Sequence, residues 1–503
     1  MAKMQLGRDE YRDRLLGCWL GKSIGGTLGA PREGQRHVHD LTFYDPVPTE
    51  PLPNDDLDFQ LVWLKMLEEE GLSPPLPVFA DYWVRYLSAY PWNEYGFCRR
   101  NLARGLLPPI SGCFENYYVD EMGSPIRSEI WACTAPGDPQ MAAARAWKDS
   151  ALDHAGGEGM HGEMFWAAVE SAAFVVQDPE TLIRIGLAMI PVPCAISRVI
   201  REALWCRRQG LRWADARQRI ADIFGHRQPC NAVPNHGFTI LGWLYGEDFG
   251  DRLCKAVNCG YDTDCTGATL GALLGIIEGR SGIPDRWLEP VGEAVVLHKF
   301  TGPCDPPADA GELTERSAAI GERACAELSD TVTIGDRTAL PEDVLSLLFR
   351  NDKARAALAQ DVHAGVAVDG DVEVTLHYGG DPVMRPGVAR LFEVSVHRGG
   401  DPVEATVEIL PPEGWTAKRV GDAGRAAFEV LAPEPGAFND LEVVVTEEAE
   451  TRRAAFRVLG PQEAKGFAAA QNLPYCSVCH GLEGYCLCTR RQPVEECSSA
   501  APG

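Results

Sequence analysis

Residues 256–275, AVNCGYDTDCTGATLGALLG, join an acidic turn to a regular row of glycines. Gly260 can end one helix in a left-handed turn, which puts Asp262 and Asp264 at the start of the next helix. The glycines that follow stand at positions 267, 271, 275 and 279. Each costs about 1 kcal/mol relative to alanine inside a helix. Because something must offset that cost, the row predicts a flat helix face packed against a neighbouring backbone.

The amino-terminal segment repeats this glycine spacing. Residues 13–34 are DRLLGCWLGKSIGGTLGAPREG, with glycines at positions 17, 21, 25 and 29 ahead of Glu33. Two helices with flat glycine faces can bring their backbones into close contact. This pairing predicts that the loop around Glu33 lies beside the turn at residues 262–266.

A second acidic cluster lies in residues 53–67, PNDDLDFQLVWLKML. Asn54 is suited to cap a helix whose first turns carry Asp55, Asp56 and Asp58. Taken alone, acids at a helix start only complement the helix dipole. If both acidic clusters share one pocket, however, their carboxylates repel one another and must either hold protons or bind cations.

Metal binding is the simplest outcome for such a pocket. Oxygen ligands from Asp, Asn and Thr, without a matched set of His and Cys, favour Mg²⁺ or Mn²⁺ over zinc. The hypothesis requires the carboxylates of Asp56 and Asp264 to lie within about 12 Å of each other, because hard cations are bound at about 2.0–2.6 Å.

The charge balance argues against two classes of partner. The chain has 503 residues, with 47 Lys and Arg against 72 Asp and Glu, and a formal net charge of −25. It offers no broad basic surface to nucleic acid or an anionic membrane, and its apolar stretches are too short to span a bilayer. The charged amino terminus lacks a signal-peptide core, and most of the 17 cysteines stand singly in apolar contexts. We therefore expect a cytoplasmic protein.

The chain divides into three regions with different residue patterns, as expected of a multidomain chain this long. Residues 1–360 have apolar side chains at helical spacings and predict an all-α domain. Residues 361–460 alternate apolar and polar positions and predict a small all-β, Ig-like sandwich as an accessory domain. Trp415 in that region is either a core residue or a sugar platform. Residues 461–503 form a Cys-rich tail, flexible by default.

The tail includes residues 476–488, CSVCHGLEGYCLC, with His480 beside the second cysteine. This spacing would suit a tetrahedral Zn²⁺ site, while a redox pair or a segment processed by other enzymes stays open. The candidate zinc ligands are Cys476, Cys479, Cys486 and Cys488.

Four ordered blocks resemble the ADP-ribosylglycohydrolase family, which includes dinitrogenase reductase-activating glycohydrolase and the ADP-ribosyl-acceptor hydrolases. The blocks are RLLGCWLGKSIGGTLGAPREG, NDDLDFQLVWLKMLE, GMHGEMFWAAVESAAFV and AVNCGYDTDCTGATLGALLGIIEGRSGIP, and the resemblance covers about residues 11–300. It implies an all-α orthogonal helical bundle with a binuclear Mg²⁺ or Mn²⁺ centre. The implied reaction is hydrolysis of a ribosyl N- or O-glycosidic bond.

The resemblance also assigns roles to residues. The implied metal ligands are Asn54, Asp55, Asp56, Asp262, Asp264 and Cys265, with Thr266 as an alternative hydroxyl. Asp56 or Glu33 would accept the proton of the attacking water, and the substrate-binding candidates are Gly162, Glu163, Asn258 and Tyr261. Three positions depart from the usual family pattern, which has Asp at position 26, Thr at position 54, and Thr or Ser at position 265. These departures suggest a divergent branch.

Two alternatives remain open beside an ADP-ribosyl substrate. The same scaffold could act on another glycoside or nucleoside, or the chain could be a catalytically inactive binding protein. His161 and His236 are expected to be structural. The same expectation, packing rather than stacking on a ligand, holds for the aromatic residues Trp92, Tyr95, Tyr117 and Tyr118. The sequence does not predict the oligomeric state.

Overall fold

The computed structural model describes residues 3–421, 424–448 and 450–464. The first part of this chain is helical, as predicted. The α-helices are α1 (Arg8–Gly29), α2 (Asp55–Glu70), α3 (Leu76–Tyr82), α4 (Asn93–Ala103), α5 (Ile110–Cys113), α6 (Ser128–Cys133), α7 (Pro139–Ser150), α8 (Glu158–Ala173), α9 (Pro179–Ala188), α10 (Ala195–Arg208), α11 (Trp213–Phe224), α12 (Ala232–Tyr245), α13 (Phe249–Val257), α14 (Thr263–Glu278), α15 (Asp285–Leu288), α16 (Ala310–Glu327), α17 (Val344–Leu348) and α18 (Asp352–Leu358).

The two glycine rows pack against each other, which confirms the predicted pairing of helices. Helices α1 and α14 run antiparallel, so that glycines 17, 21 and 25 face glycines 275, 271 and 267. A Cβ atom added at Gly21 would overlap the carbonyl oxygen of Gly271, and one added at Gly25 would overlap that of Gly267. Close backbone contact is therefore what the glycines permit, and it aligns the ends of α1 and α14.

A small parallel sheet interrupts the helical region and was not predicted. Strand β1 (Met4–Gly7) pairs with β2 (Val332–Gly335), and Met4 and Leu6 are buried. A strand of four residues has too few positions to show the two-residue alternation on which the prediction of strands depends.

The carboxyl-terminal region consists of antiparallel sheets. One sheet has the order β3-β4-β5-β9-β8, with β6 paired to β5, and the other has the order β11-β10-β7. The strands are β3 (Ala364–Asp369), β4 (Val372–His377), β5 (Arg390–Arg398), β6 (Asp401–Pro402), β7 (Thr406–Leu410), β8 (Thr416–Gly421), β9 (Ala426–Leu431), β10 (Phe438–Glu447) and β11 (Glu450–Leu459).

Both sheets contribute to one hydrophobic core, to which the helical region also adds side chains. Leu106, Ile110 and Phe114, from the segment around α5, are buried in that core, and Pro109 forms a β-bridge with Gly365 of β3. Trp415 is half-buried against the same core. The division at residue 360 stays a prediction, since the two regions share this core.

Two further predictions concern the carboxyl-terminal tail and membranes. The proposed zinc ligands Cys476, Cys479, Cys486 and Cys488 lie outside the described residues. Within the described residues, no helix combines the length and the apolar character that a membrane crossing requires.

Candidate metal centre

Helix α2 begins at the first acidic cluster and is capped as predicted. The Oδ1 atom of Asn54 accepts a hydrogen bond of 2.9 Å from the backbone N–H of Asp56. The carboxylate of Asp55 accepts a bond of 2.8 Å from the indole N–H of Trp92. Asp56 is fully buried. The helix start therefore holds one carboxylate at a pocket wall and one in the interior.

Helix α14 begins at the second acidic cluster, after a turn with two left-handed residues. Gly260 has a φ of 75° and Tyr261 a φ of 76°, and the latter conformation costs a non-glycine residue about 1–3 kcal/mol. The backbone of Tyr261 bonds the early loop, donating to Gln35 and accepting from Gly34 at 2.8 and 2.9 Å. These bonds hold the loop around Glu33 beside the turn that precedes α14.

The two acidic clusters and the early loop meet in one place. Ligand atoms of Asp56, Asp264 and Cys265 all lie within 4.8 Å of one another, well inside the 12 Å that the hypothesis allowed. The Sγ atom of Cys265 is 3.5 Å from Oδ1 of Asp56. Two such groups of ligand atoms adjoin the same pocket, because Glu33, Cys230 and Asp262 form a second one with the same spacing.

Several carboxylate oxygens in these groups lack a hydrogen-bond partner. Oδ2 of Asp56, Oδ1 of Asp262 and Oδ1 of Asp264 are all buried and unpartnered among the described residues. Asp262 stands at the N-cap position of α14, yet its side chain makes no capping bond. Buried polar atoms in proteins are normally satisfied, and an ion is one recognised reason for such exceptions. The donor set therefore fits a divalent cation.

Burial and mutual repulsion shift the acidity of these groups upward. Burial, and then the carboxylate of Asp264, raises the pKa of Asp55 to about 7. Burial and the carboxylates of Asp264 and Glu33 raise the pKa of Asp262 well above its ordinary value. The carboxylate of Asp264, together with burial, raises the pKa of Glu33 to about 8. Such carboxylates retain protons near neutral pH unless a cation replaces them.

A buried lysine lies close to Asp56 without filling the pocket. The Nζ atom of Lys22 donates to Oε1 of Glu129 at 2.8 Å and to the carbonyl of Ile126 at 3.0 Å. Gln60 links this pair to α2, since its amide donates to the carbonyl of Asp56 and to Oε2 of Glu129 at 2.8 and 2.9 Å. The buried Lys22–Glu129 ion pair thus lies behind Asp56.

The pocket in front of these groups has a volume of about 390 Å³. Its wall combines acids with two aromatic residues, and its described lining includes no Lys or Arg. The acids are Glu33, Asp55, Glu94, Glu121, Asp262 and Asp264, and the aromatic residues are Trp92 and Tyr95. A larger cleft of about 790 Å³ lies between α7 and the β3-β4-β5 face and does not include the acidic turns.

A sequence model described as ADP-ribosylglycohydrolase matches residues 7–320. The chain belongs to the ADP-ribosylglycohydrolase family. A similar solved structure, described as an ADP-ribosylglycohydrolase-related protein complex, is 20% identical with a TM-score of 0.41, and the match covers 62% of this chain and 97% of that one. No curated protein matches the chain.

Two departures from the usual ADP-ribosylglycohydrolase pattern lie in contact with each other. A Cβ atom added at Gly26 would overlap Nδ2 of Asn54 and lie 3.6 Å from the Cβ of Ala268. The Asn54 amide therefore occupies the space into which a side chain at position 26 would extend. A side chain at position 26 would therefore require the amide of Asn54 to move.

Some predicted site residues are placed away from this pocket. Asn258 pairs with the backbone of Leu41, and the hydroxyl of Thr266 donates to the carbonyl of Thr263 at 3.2 Å. Glu163 is fully buried and accepts a bond of 2.6 Å from Ser150. None of these is among the described residues of the pocket wall, and neither are Gly162, Tyr261 and Asn54.

Asp58 and His236 are occupied by structural contacts. One oxygen of Asp58 accepts bonds from Tyr90, from the backbone of His298 and from Thr301 at 2.9, 2.7 and 2.6 Å. His236 is buried and bonds the carbonyl of Ala232 at 2.7 Å. His161 lies instead beside Glu158 and Cys194, in a third group of ligand atoms within 4.8 Å of one another.

Sequence reasoning did not identify Cys230 as a residue of the pocket. It precedes α12 in a segment, QPCNAVPN, that has no acidic neighbour and no ligand spacing. Only the fold brings its thiol to Glu33 and Asp262.

Proposed function

We propose that this chain is a metal-dependent glycohydrolase that cleaves a ribosyl N- or O-glycosidic bond in an ADP-ribosylated substrate or a related riboside. The observation that carries the proposal is the set of buried, unpartnered oxygens on Asp56, Asp262 and Asp264. In a member of this family, a divalent cation is the ligand that such oxygens suit best.

The residues divide into those that would hold the ion and one that would move a proton. Asp56, Asp264 and Cys265 would hold the ion, which the sequence predicts to be Mg²⁺ or Mn²⁺, while Cys230 and Asp262 offer ligands for a second. A bound ion supplies Lewis acidity to water and to ribose hydroxyls. Glu33 would accept the proton of the attacking water, because it is a residue of the pocket wall, whereas Asp56 is fully buried and is not part of that wall.

The pocket wall suggests how a riboside would be oriented. Trp92 and Tyr95 offer aromatic faces beside the acids, and such faces pack against sugars and bases. The indole N–H of Trp92 bonds Asp55, which fixes the indole against the start of α2. The carboxylates of Asp262 and Asp264 would then face the developing positive charge of an oxocarbenium-like sugar.

A riboside without a diphosphate is a second candidate substrate. The described pocket lining has six acids and no Lys or Arg to pair with a diphosphate. An acidic wall repels anions unless bound cations neutralise it. The part of the substrate that contacts the described wall is therefore better matched by a nucleoside or simple glycoside than by a diphosphate.

The test is hydrolysis by the purified full chain on a panel of ADP-ribosyl compounds and simpler ribosides, with and without a chelator. We expect a chelator to stop turnover and Mg²⁺ or Mn²⁺ to restore it. Asp56→Asn and Asp264→Asn should each lower kcat by more than about 100-fold, since loss of even an outer partner of a metal ligand costs about 10–100-fold.

The matched control is Asp336→Asn, which removes an exposed carboxylate remote from the pocket and should leave kcat unchanged. Full activity in both pocket variants would refute the assignment. Metal binding without turnover of any compound in the panel would favour the inactive binding protein instead.

The carboxyl-terminal sheets would then serve as an accessory module of Ig-like sandwich type. Their shared core with Leu106, Ile110 and Phe114 supports a fixed attachment to the helical region.

A further inference from the structure

We propose that Cys265 is a metal ligand and that its thiolate makes this centre select a thiophilic divalent ion such as Zn²⁺ over Mg²⁺. This inference rests on the proposed function and replaces the Mg²⁺ or Mn²⁺ that the sequence predicts with a thiophilic ion.

The position of the thiol suits a ligand. Its Sγ atom lies 3.5 Å from Oδ1 of Asp56. A tetrahedral ion with one sulfur ligand at about 2.3 Å and one oxygen at about 2.0 Å separates those two atoms by about 3.5 Å. Asp264 completes the group within 4.8 Å, and Cys265 contributes to the pocket wall. The side chains therefore need little movement to bind.

Unpartnered oxygens provide a second and independent indication of a cation. Asp56 and Asp262 are 0% and 1% exposed, and each has one carboxylate oxygen without any hydrogen-bond partner among the described residues. Packing alone does not account for these oxygens, because an unsatisfied buried polar atom costs about 1–3 kcal/mol. A cation held by Asp56, Asp264 and Cys265 would satisfy the oxygen of Asp56, and one held by Glu33, Cys230 and Asp262 would satisfy that of Asp262.

The chemical type of the donor atoms determines which cation the site prefers. Mg²⁺ takes oxygen ligands in octahedral geometry, whereas Zn²⁺ accepts thiolate and carboxylate together in tetrahedral geometry. A serine or threonine at position 265 would offer a hydroxyl oxygen, but this chain offers sulfur. Cys230 adds a second thiol at the same pocket, beside Glu33 and Asp262. On binding, the thiol of Cys265 loses its proton to solvent and the thiolate bonds the metal.

The competing account is that Cys265 only donates a weak hydrogen bond to Asp56. In that case the thiol stays protonated when metal binds, and oxygen ligands alone determine the choice of ion. The two accounts differ in whether a metal–sulfur bond forms, which spectroscopy detects without any assay of activity.

The experiment titrates Co²⁺, Zn²⁺ and Mg²⁺ separately into the chelator-treated full chain, with absorbance for Co²⁺ and calorimetry for all three. We expect a thiolate-to-cobalt charge-transfer band, and tighter binding of Zn²⁺ than of Mg²⁺. Cys265→Thr should lower the intensity of the band by the contribution of one thiolate. It should also weaken Zn²⁺ binding by about 100-fold, the upper end of the cost of losing a residue that only supports a metal ligand. Its Mg²⁺ affinity should hold or rise.

Controls separate Cys265 from the other thiols. Cys194→Ser disrupts the group that Cys194 forms with Glu158 and His161, and Cys230→Ser removes the second pocket thiol. The loss caused by Cys265→Thr should persist in either background. Any signal from the cysteines of the tail is common to all variants and cancels in the difference.

Two results would overturn the inference while leaving the proposed function standing. One is an unchanged cobalt band in Cys265→Thr, and the other is parent protein that binds Mg²⁺ as tightly as Zn²⁺. Failure of the pocket to bind any of the three ions would defeat both the inference and the proposed function.

Discussion

At the scale of single residues, the pocket acids make the ion-free protein sensitive to pH. The pKa of Asp55 is raised to about 7, mainly by burial and by Asp264. The folded state therefore holds this proton when the unfolded state has already released it, so raising the pH from about 4 to 7 lowers stability. Each unit of raised pKa corresponds to about 1.4 kcal/mol.

We predict that the melting temperature of the chelator-treated protein falls as pH rises through that window. A bound divalent ion should flatten or reverse the trend, because it stabilises the ionised carboxylates. Asp55→Asn should also make the melting temperature of the chelator-treated protein fall less steeply with pH. Thermal unfolding followed by circular dichroism checks this, and an ion-free melting temperature that rises from pH 4 to 7 would contradict it.

Lys22 and Glu129 are a second residue-scale case. Both side chains are fully buried and joined at 2.8 Å. Removing one partner of a buried ion pair leaves an uncompensated charge and costs about 3–5 kcal/mol.

We predict that Lys22→Met destabilises the protein by that amount and that the double variant Lys22→Met, Glu129→Leu regains most of it. Urea unfolding of the two variants measures the difference. If Lys22→Met proves as stable as the parent, the ion pair does not make this contribution to stability.

Which acids face the pocket was predictable only in part. Successive helical residues are rotated by about 100°, so Asp56 and Asp58 lie on opposite sides of α2, and of these two only Asp56 lies beside Asp264. The same rotation turns Thr266 away from the site that Cys265 reaches. Cys230 was beyond prediction, since a lone cysteine acquires a role only from the neighbours that the fold provides.

At the scale of elements, the glycine pair of α1 and α14 sets the position of the site. It was predictable because four-residue glycine spacing is costly in a helix unless a backbone packs against it. The pairing aligns the end of α1, and the Glu33 loop after it, with the start of α14.

We predict that Gly271→Ala destabilises the protein by at least about 3 kcal/mol, the upper end for overpacked cores, because the new Cβ would overlap the carbonyl oxygen of Gly21. Gly96→Ala is the matched control, since Gly96 lies in α4 with no neighbouring atom within 4 Å of an added Cβ. Helix propensity makes that change neutral or favourable by about 1 kcal/mol. Chemical unfolding of both variants tests the difference, and equal effects would contradict the account.

At the scale of the whole molecule, the helical region and the sheets meet through a few side chains. Alternation along residues 366–459 predicted strands, but nothing in the segment around α5 indicated that it enters their core. Ile110 is 1% exposed there. The reason is tertiary, because an apolar residue on a four-residue helix has no sequence signature of its partner.

We predict that Ile110→Ala costs about 2–5 kcal/mol, the usual range for a buried isoleucine, and that it lowers the unfolding temperature of helices and sheets together. Val388→Ala, at an exposed position in the sheet region, should be nearly neutral. Far-ultraviolet circular dichroism resolves helix and sheet signals, and melting of the sheets alone would show that the shared core does not couple them.

The proposed function requires that α1, α2 and α14 meet to form a cation site in the acidic pocket. Anomalous diffraction from a crystal grown in saturating Mn²⁺ tests it most directly. We expect a peak about 2.0–2.4 Å from ligand atoms of Asp56 and Asp264. A pocket without such a peak, or one with a lysine or arginine side chain between those carboxylates, would contradict it.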